Sequence, residues 1–153
     1  MSTVERRSKI VVRPVEGRDA DAIGELIVQL GYARPPEEVQ RWIEKLPIWA
    51  ERQAAFVASE KDRIVGWIEV SLERRLQTAP FALIGGLVVR DGVRGKGIGR
   101  LLCEAAERWS REHGAGVVRV TSRSTREAAH QFYLRDGYSQ VKTSLVFEKR
   151  LQG

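Results

Sequence analysis

Val88-Val89-Arg90-Asp91-Gly92-Val93-Arg94-Gly95-Lys96-Gly97-Ile98-Gly99-Arg100-Leu101-Leu102 is the stretch on which the reading of the whole chain turns. The apolar run Leu83-Ile84-Gly85-Gly86-Leu87-Val88-Val89 enters it as a strand, and Ile98, Leu101, Leu102, Ala105 and Trp109 leave it at helical spacing. The glycines therefore sit where a strand hands over to a helix. At such a junction the first helical N–H groups have no intrahelical partner, and the macrodipole adds partial positive charge. Gly95, Gly97 and Gly99 place no Cβ between those amides and an incoming anion, while Arg94, Lys96 and Arg100 bring full charges. Residues 94–100, Ile98 included, read as a pyrophosphate cradle; the plainer alternative is a helix start with ordinary turn glycines.

Spacing separates the known cradles. A P-loop requires G-x-x-x-x-G-K-[ST], and the residues that follow Gly97 are Ile98 and Gly99. A dinucleotide fingerprint requires a third glycine where Leu102 stands, and belongs after the first strand of a fold. What remains is Arg94-x-x-Gly97-x-Gly99 between an apolar strand and an amphipathic helix. This pattern resembles the acetyl-CoA loop of the GCN5-related N-acetyltransferases (GNAT).

Length and composition agree with one ordinary globular domain. The 153 residues are 42% hydrophobic and 30% charged, enough for a core without disulfide or metal support. Lys and Arg total 26 against 20 Asp and Glu, a net charge of +6 that favours anionic ligands. These charges are spread along the chain without the fingerprint of a DNA- or RNA-reading module, so no nucleic acid partner is expected. Cys103 is the single cysteine, read as a packing residue, and His113 and His130 stand apart, so neither a disulfide framework nor a metal site is expected. No apolar run is long enough to cross a bilayer and residues 1–8 carry no apolar leader; the expectation is a flexible tail over 1–8, one domain over 9–153 and a cytoplasmic protein.

The remaining elements follow from periodicity and punctuation. Ile10–Pro14 reads as a strand; Asp19 caps a helix carrying Ile23, Leu26, Ile27 and Leu30 that stops at Gly31. Pro36 begins a second helix carrying Val39, Trp42, Ile43 and Leu46, ended by Pro47. Trp42 reads as core, whereas Tyr32 and Trp49 suit either core or the lip of a pocket. Strands 53–59 and 63–72 flank the polar turn Glu60-Lys61-Asp62, as in a hairpin. On the second of them Val65, Trp67, Glu69 and Ser71 share one face, which sets a carboxylate beside an aromatic wall. Glu69 suits a base, an anchor for a cationic amine, or a solvated strand position. Residues 73–80 read as a loop, 81–89 and 116–122 as strands, and Ser124 or Thr125 as the cap of a helix closed by Asp136-Gly137. Tyr138 to Leu151 reads as extended.

This order, with the glycine loop near its middle, matches the GNAT order over nearly the whole chain. Ala128-Ala129-His130-Gln131-Phe132-Tyr133-Leu134-Arg135-Asp136-Gly137-Tyr138 is similar to a second motif of that family. The resemblance implies an α/β acyl-CoA N-acyltransferase fold: a mixed, mostly antiparallel sheet flanked by helices, with the fourth and fifth strands splayed. It implies acetyl-CoA as cosubstrate and an amine as acceptor, joined in a ternary complex. Leu87, Val88 and Val89 match the backbone positions that pair with pantetheine, and Tyr133 matches the general acid; a phenol is still protonated at neutral pH. Gly85-Gly86 inside the strand fits a bulge or a close backbone approach. The family's strand-four glutamate is replaced by those glycines, leaving Glu69 or His130 as candidate bases, or no dedicated base at all. Arg126 stands where relatives often carry a cofactor-binding asparagine. A small-molecule amine is the expected acceptor, with a macromolecular acceptor or a non-catalytic acyl-CoA sensor as the alternatives. The C-terminal strands offer a route to a homodimer.

Overall fold

The computed structural model describes residues 9–93 and 95–152. The expected tail over 1–8 and the cradle residue Arg94 lie outside the described residues. The chain falls into two compact units that meet in sequence after Thr121.

The first unit is built on a five-stranded sheet of β1 (Ile10–Pro14), β2 (Gln53–Glu60), β3 (Arg63–Arg75), β4 (Thr78–Val89) and β5 (Val118–Val120) in that spatial order. The first four are antiparallel neighbours and β5 runs parallel to β4. Helices α1 (Ala20–Leu30) and α2 (Pro36–Lys45) join β1 to β2, and α3 (Ile98–Glu112) joins β4 to β5. Side chains alternate across a strand, so β3 serves both layers. Trp67 and its cross-strand neighbours Val57 and Val88 pack with Ile23, Leu26, Val39 and Ile43 of α1 and α2. From the opposite face, Gly66 meets the side chains of Ile98 and Leu102 on α3. Leu26, Ile68 and Leu102 are fully buried, each stabilising the fold by about 1.5–3 kcal/mol relative to exposure.

Local rules explain most boundaries. The β2–β3 turn is closed by Lys61 and Asp62, both at positive φ (51° and 62°), the twist a two-residue hairpin loop prefers. Asp19 occupies the N-cap position of α1, but its side chain does not cap that helix. It instead takes the Glu16 amide at 2.8 Å and both Nη atoms of Arg13 at 2.7 and 2.8 Å, closing the turn before α1. Cys103 and Trp109 are buried in α3, as a packing role requires, and Trp42 lies partly buried against the α1/α2 core. Tyr32 and Trp49 are exposed.

Four expectations are corrected. Residues 73–80 are not a loop: β3 continues to Arg75 and β4 begins at Thr78. The polar Glu73-Arg74-Arg75 and Pro80 disguise this arm because it rises past the covered part of the sheet, and the register shift between Glu73 and Arg75 accommodates the proline. The fifth strand is shorter than 116–122, pairing with β4 only from Val118 to Val120. In the second unit, α4 (Glu127–Arg135) starts just before the motif, with Arg126 rather than Ser124 or Thr125 at its N-cap position and no side chain capping it. Residues 138–152 form no helix or strand.

Candidate functional site

The β4–loop–α3 junction forms where the glycines place it. Gly97 is the N-cap residue of α3 at φ 73°, a left-handed conformation that costs a residue with a Cβ about 1–2 kcal/mol. The first helical bond runs from Leu101 N–H to the Gly97 carbonyl at 3.0 Å, so the amides of Ile98, Gly99 and Arg100 precede the helical ladder. Cβ atoms at Gly95 and Gly97 would meet nothing within 4 Å, so the approach to the loop is open. Two of its predicted cations are already engaged. Lys96 Nζ lies 3.0 and 3.2 Å from the Glu60 carboxylate oxygens at the end of β2, and Arg100 Nε lies 3.3 Å from Glu104. Among the described residues, the attraction for an anion here falls first to the helix-start amides.

Sequence reasoning passed over the residue that braces the loop. Gln29 of α1 donates to the Val89 carbonyl at 2.7 Å and accepts from the Asp91 N–H at 3.0 Å, holding the end of β4 against the helix. Arg90 adds an ion pair to Glu25 at 2.9 Å and a bond to the Ile64 carbonyl at 2.9 Å. A polar residue in a helix between apolar positions gives no signal of a contact so distant in sequence.

Upstream of the loop, β4 parts from β5. Ladder pairing between them covers Ala82, Leu83 and Ile84, opposite Val118, Arg119 and Val120, while β4 runs on to Val89. A bulge sits at the point of parting: Glu69 pairs with Gly86 and Val70 with Ile84, leaving Gly85 unmatched. Arg90 N–H bonds Val65 of β3 at 2.8 Å, and antiparallel alternation then turns the main-chain groups of Leu87 and the Val89 N–H toward the edge that β5 no longer covers. Val88 instead faces β3 with its backbone and the α1/α2 core with its side chain.

Glu69 is the predicted residue with the most distinctive surroundings. Its carboxylate lies over Gly85 beside the Trp67 ring. Burial pushes its carboxyl above the ordinary range, toward the neutral form. Trp67 Nε1 is also buried, with no hydrogen-bond partner among the described residues.

Within the second unit, Tyr133 is half-buried on α4. Its ring meets Phe132 and Tyr138 edge-on at 5.4 and 5.9 Å, and its carbonyl accepts from the Tyr138 N–H at 2.9 Å. His130 Nε2 lies 2.9 Å from the Arg123 carbonyl, so that nitrogen is a donor and only Nδ1 remains as a base. No cluster of three or more His, Cys, Asp or Glu suited to a metal ion occurs among the described residues.

Comparisons with known proteins bear on the family and the fold. An aminoalkylphosphonate N-acetyltransferase of Salmonella typhimurium is 35% identical over 85 residues, a match spanning 55% of this chain and 55% of that protein. An uncharacterized N-acetyltransferase of Chlorobaculum tepidum is 31% identical over 138 residues, 90% of this chain and 81% of its own. The fold is shared with an aminoglycoside N-acetyltransferase solved in complex with CoA (TM-score 0.85, 18% identity, 97% of this chain and 100% of that one). It is shared also with glucosamine-6-phosphate N-acetyltransferase from Arabidopsis thaliana (TM-score 0.80, 20% identity, 92% and 98%). Residues 22–138, from α1 through the tyrosine motif, match the model of the acetyltransferase (GNAT) family, and to that family the chain belongs.

Proposed function

We propose that the chain transfers an acetyl group from acetyl-CoA to the primary amine of a small molecule by direct attack in a ternary complex. The observation that carries this reading is the parting of β4 from β5 at the Gly85 bulge, immediately before a helix-start loop open to an anion. In this reading the outward main-chain groups of Leu87 and Val89 pair with pantetheine and residues 95–100 receive the pyrophosphate. Arg94 and Arg126 are assigned further contacts to the cosubstrate, and Tyr133 returns a proton to the departing thiolate. The names of the relatives support the acceptor class: aminoalkylphosphonate in one case and aminoglycoside in another, each a small molecule bearing an amine.

A cytoplasmic location and a homodimer complete the proposal. No helix among the described residues is long and apolar enough to cross a membrane. Val141, Leu145, Val146, Phe147 and Leu151 are all exposed in the C-terminal segment, apolar surface of the kind that self-association covers. Sedimentation of a monomer at micromolar concentration would remove the dimer from the account.

The test of function is Tyr133→Phe, followed by acetyl-CoA titration and by CoA-thiol release with an amine acceptor. Loss of the hydroxyl is expected to slow turnover by about 10²-fold or more while leaving acetyl-CoA affinity within about twofold. Unchanged turnover would remove Tyr133 from the chemistry.

A further inference from the structure

β4 offers no side chain where it parts from β5, and β3 fills the gap. A Cβ built on Gly85 would stand 2.9 Å from Glu69 Oε1, and one on Gly86 would stand 2.7 Å from both Cη2 and Cζ3 of Trp67 and 3.7 Å from Glu69 Cγ. Neither glycine is at a positive φ, so the backbone does not demand them. Their role is to leave room. Two consecutive β4 residues without side chains oppose the single residue Glu69 across the bulge, and the room they leave is taken by the Glu69 carboxylate and the far edge of the Trp67 ring.

That carboxylate is held without being neutralised. Among the described residues none donates a hydrogen bond to it. Ala55 faces it from β2, the glycines face it from β4, and the side chains that α1 and α2 bring to the core of this face are apolar. Titratable groups elsewhere on this face are engaged: Glu73 accepts from the Ser71 hydroxyl at 2.9 Å, Arg75 and Arg119 lie over the Phe81 ring at 5.0 and 4.4 Å, and Arg13, in register with Val57, pairs with Asp19 at 2.7 Å. A purely structural carboxylate would be expected to carry a donor or a cation. Gly85 is exposed, so the place beside Glu69 Oε1 is open to a ligand at the mouth between β4 and β5.

We propose that Glu69 is the proton acceptor for the acceptor amine, a carboxylate supplied from β3 into the space that Gly85 and Gly86 leave on β4. The inference rests on the acetyltransferase reading and adds the acceptor's charge state: the ligand arrives as an ammonium ion, paired with Glu69. One N–H proton passes to Oε1 and on to solvent, leaving a lone pair that forms the C–N bond to the thioester carbonyl. The tetrahedral adduct loses a second N–H proton to Glu69 as the C–S bond breaks, and the thiolate takes up one proton. The raised affinity of the buried carboxyl for protons suits it to this exchange better than a solvated glutamate.

The test compares wild type with Glu69→Gln and Glu69→Asp, using CoA-thiol release from acetyl-CoA and an amine that the wild type turns over. Glu69→Gln is expected to lower kcat/KM by about 10²–10⁴-fold at pH 7, with acetyl-CoA affinity retained and Tm no lower than that of wild type. The deficit is expected to shrink as pH approaches the acceptor's own pKa, where free amine arrives without help. Glu69→Asp keeps the carboxylate and is expected to restore part of the rate. Wild-type kcat/KM in Glu69→Gln, or a loss equal at every pH, would overturn the role of Glu69 while leaving the acetyltransferase reading intact. Absence of thiol release by wild type with every amine would overturn both.

Discussion

Replacing Gly86 with alanine tests the packing on which the site is built. The new methyl group would meet Cη2 and Cζ3 of Trp67 at 2.7 Å, well inside van der Waals contact. Trp67 is only 6% exposed and is walled in by Val57, Val88 and the apolar faces of α1 and α2, so it cannot swing clear. Overpacking of this kind costs about 1–3 kcal/mol. Removing a glycine from the unfolded chain offsets about 0.4–1 kcal/mol of that. The net expectation is a loss of about 1–2 kcal/mol, or a fall in Tm of roughly 2–8 °C for a chain of this size. Urea and thermal unfolding measure it, and the double variant with Trp67→Phe assigns its cause. A phenyl ring lacks the atoms that clash, so the alanine penalty is expected to disappear in that background, a coupling of at least about 1 kcal/mol. Gly86→Ala as stable as wild type, or an equal penalty in both backgrounds, would refute the argument.

Further expectations concern charge and the loop. Asp19→Asn leaves the Arg13 guanidinium without its carboxylate and is expected to cost about 1.5–3 kcal/mol at pH 7. Burial alone would raise the Asp19 carboxyl, but the bonds from Arg13 and the Glu16 amide outweigh it and hold it below its ordinary 3.8. Its stabilisation is therefore full above that value and lost as pH falls through the lower folded value, so the urea midpoints of wild type and variant should converge in acid. Glu69 has the opposite sign. With its folded affinity for protons raised above the ordinary 4.5, wild type loses stability as pH rises through that window, and Glu69→Gln should gain Tm relative to wild type between pH 4 and pH 7. An equal difference at both pH values would contradict the buried, desolvated carboxylate. Gly97→Glu sets bulk and negative charge at the start of α3 and is expected to weaken acetyl-CoA binding by about tenfold or more by calorimetry; unchanged affinity would remove the loop from the cosubstrate site.

Legibility in the sequence followed the range of the interactions. The β4–loop–α3 junction, the 60–62 turn and the faces of α1, α2 and α3 are set by neighbours close in sequence, and periodicity and glycine placement reveal them. Gly85-Gly86 announced a bulge, but not what filled it. The contact between Glu69 and Gly85 depends on the β3–β4 register, which only the assembled sheet fixes. The outer arm around Pro80 looked like a loop because its strands are polar and exposed; their pairing comes from the hairpin rather than from burial. The brace that Gln29 makes to Val89 and Asp91 was invisible for the same reason as the contact between Glu69 and Gly85. Residues 138–152 show the converse: apolar residues read as extended, while the backbone there joins no strand.

CoA-thiol release from acetyl-CoA across a panel of amino acids, aminoalkylphosphonates, polyamines and aminoglycosides tests the central claim most directly. The account predicts saturable release with at least one primary amine of small size. Tight binding of acetyl-CoA with no release across the panel would contradict it.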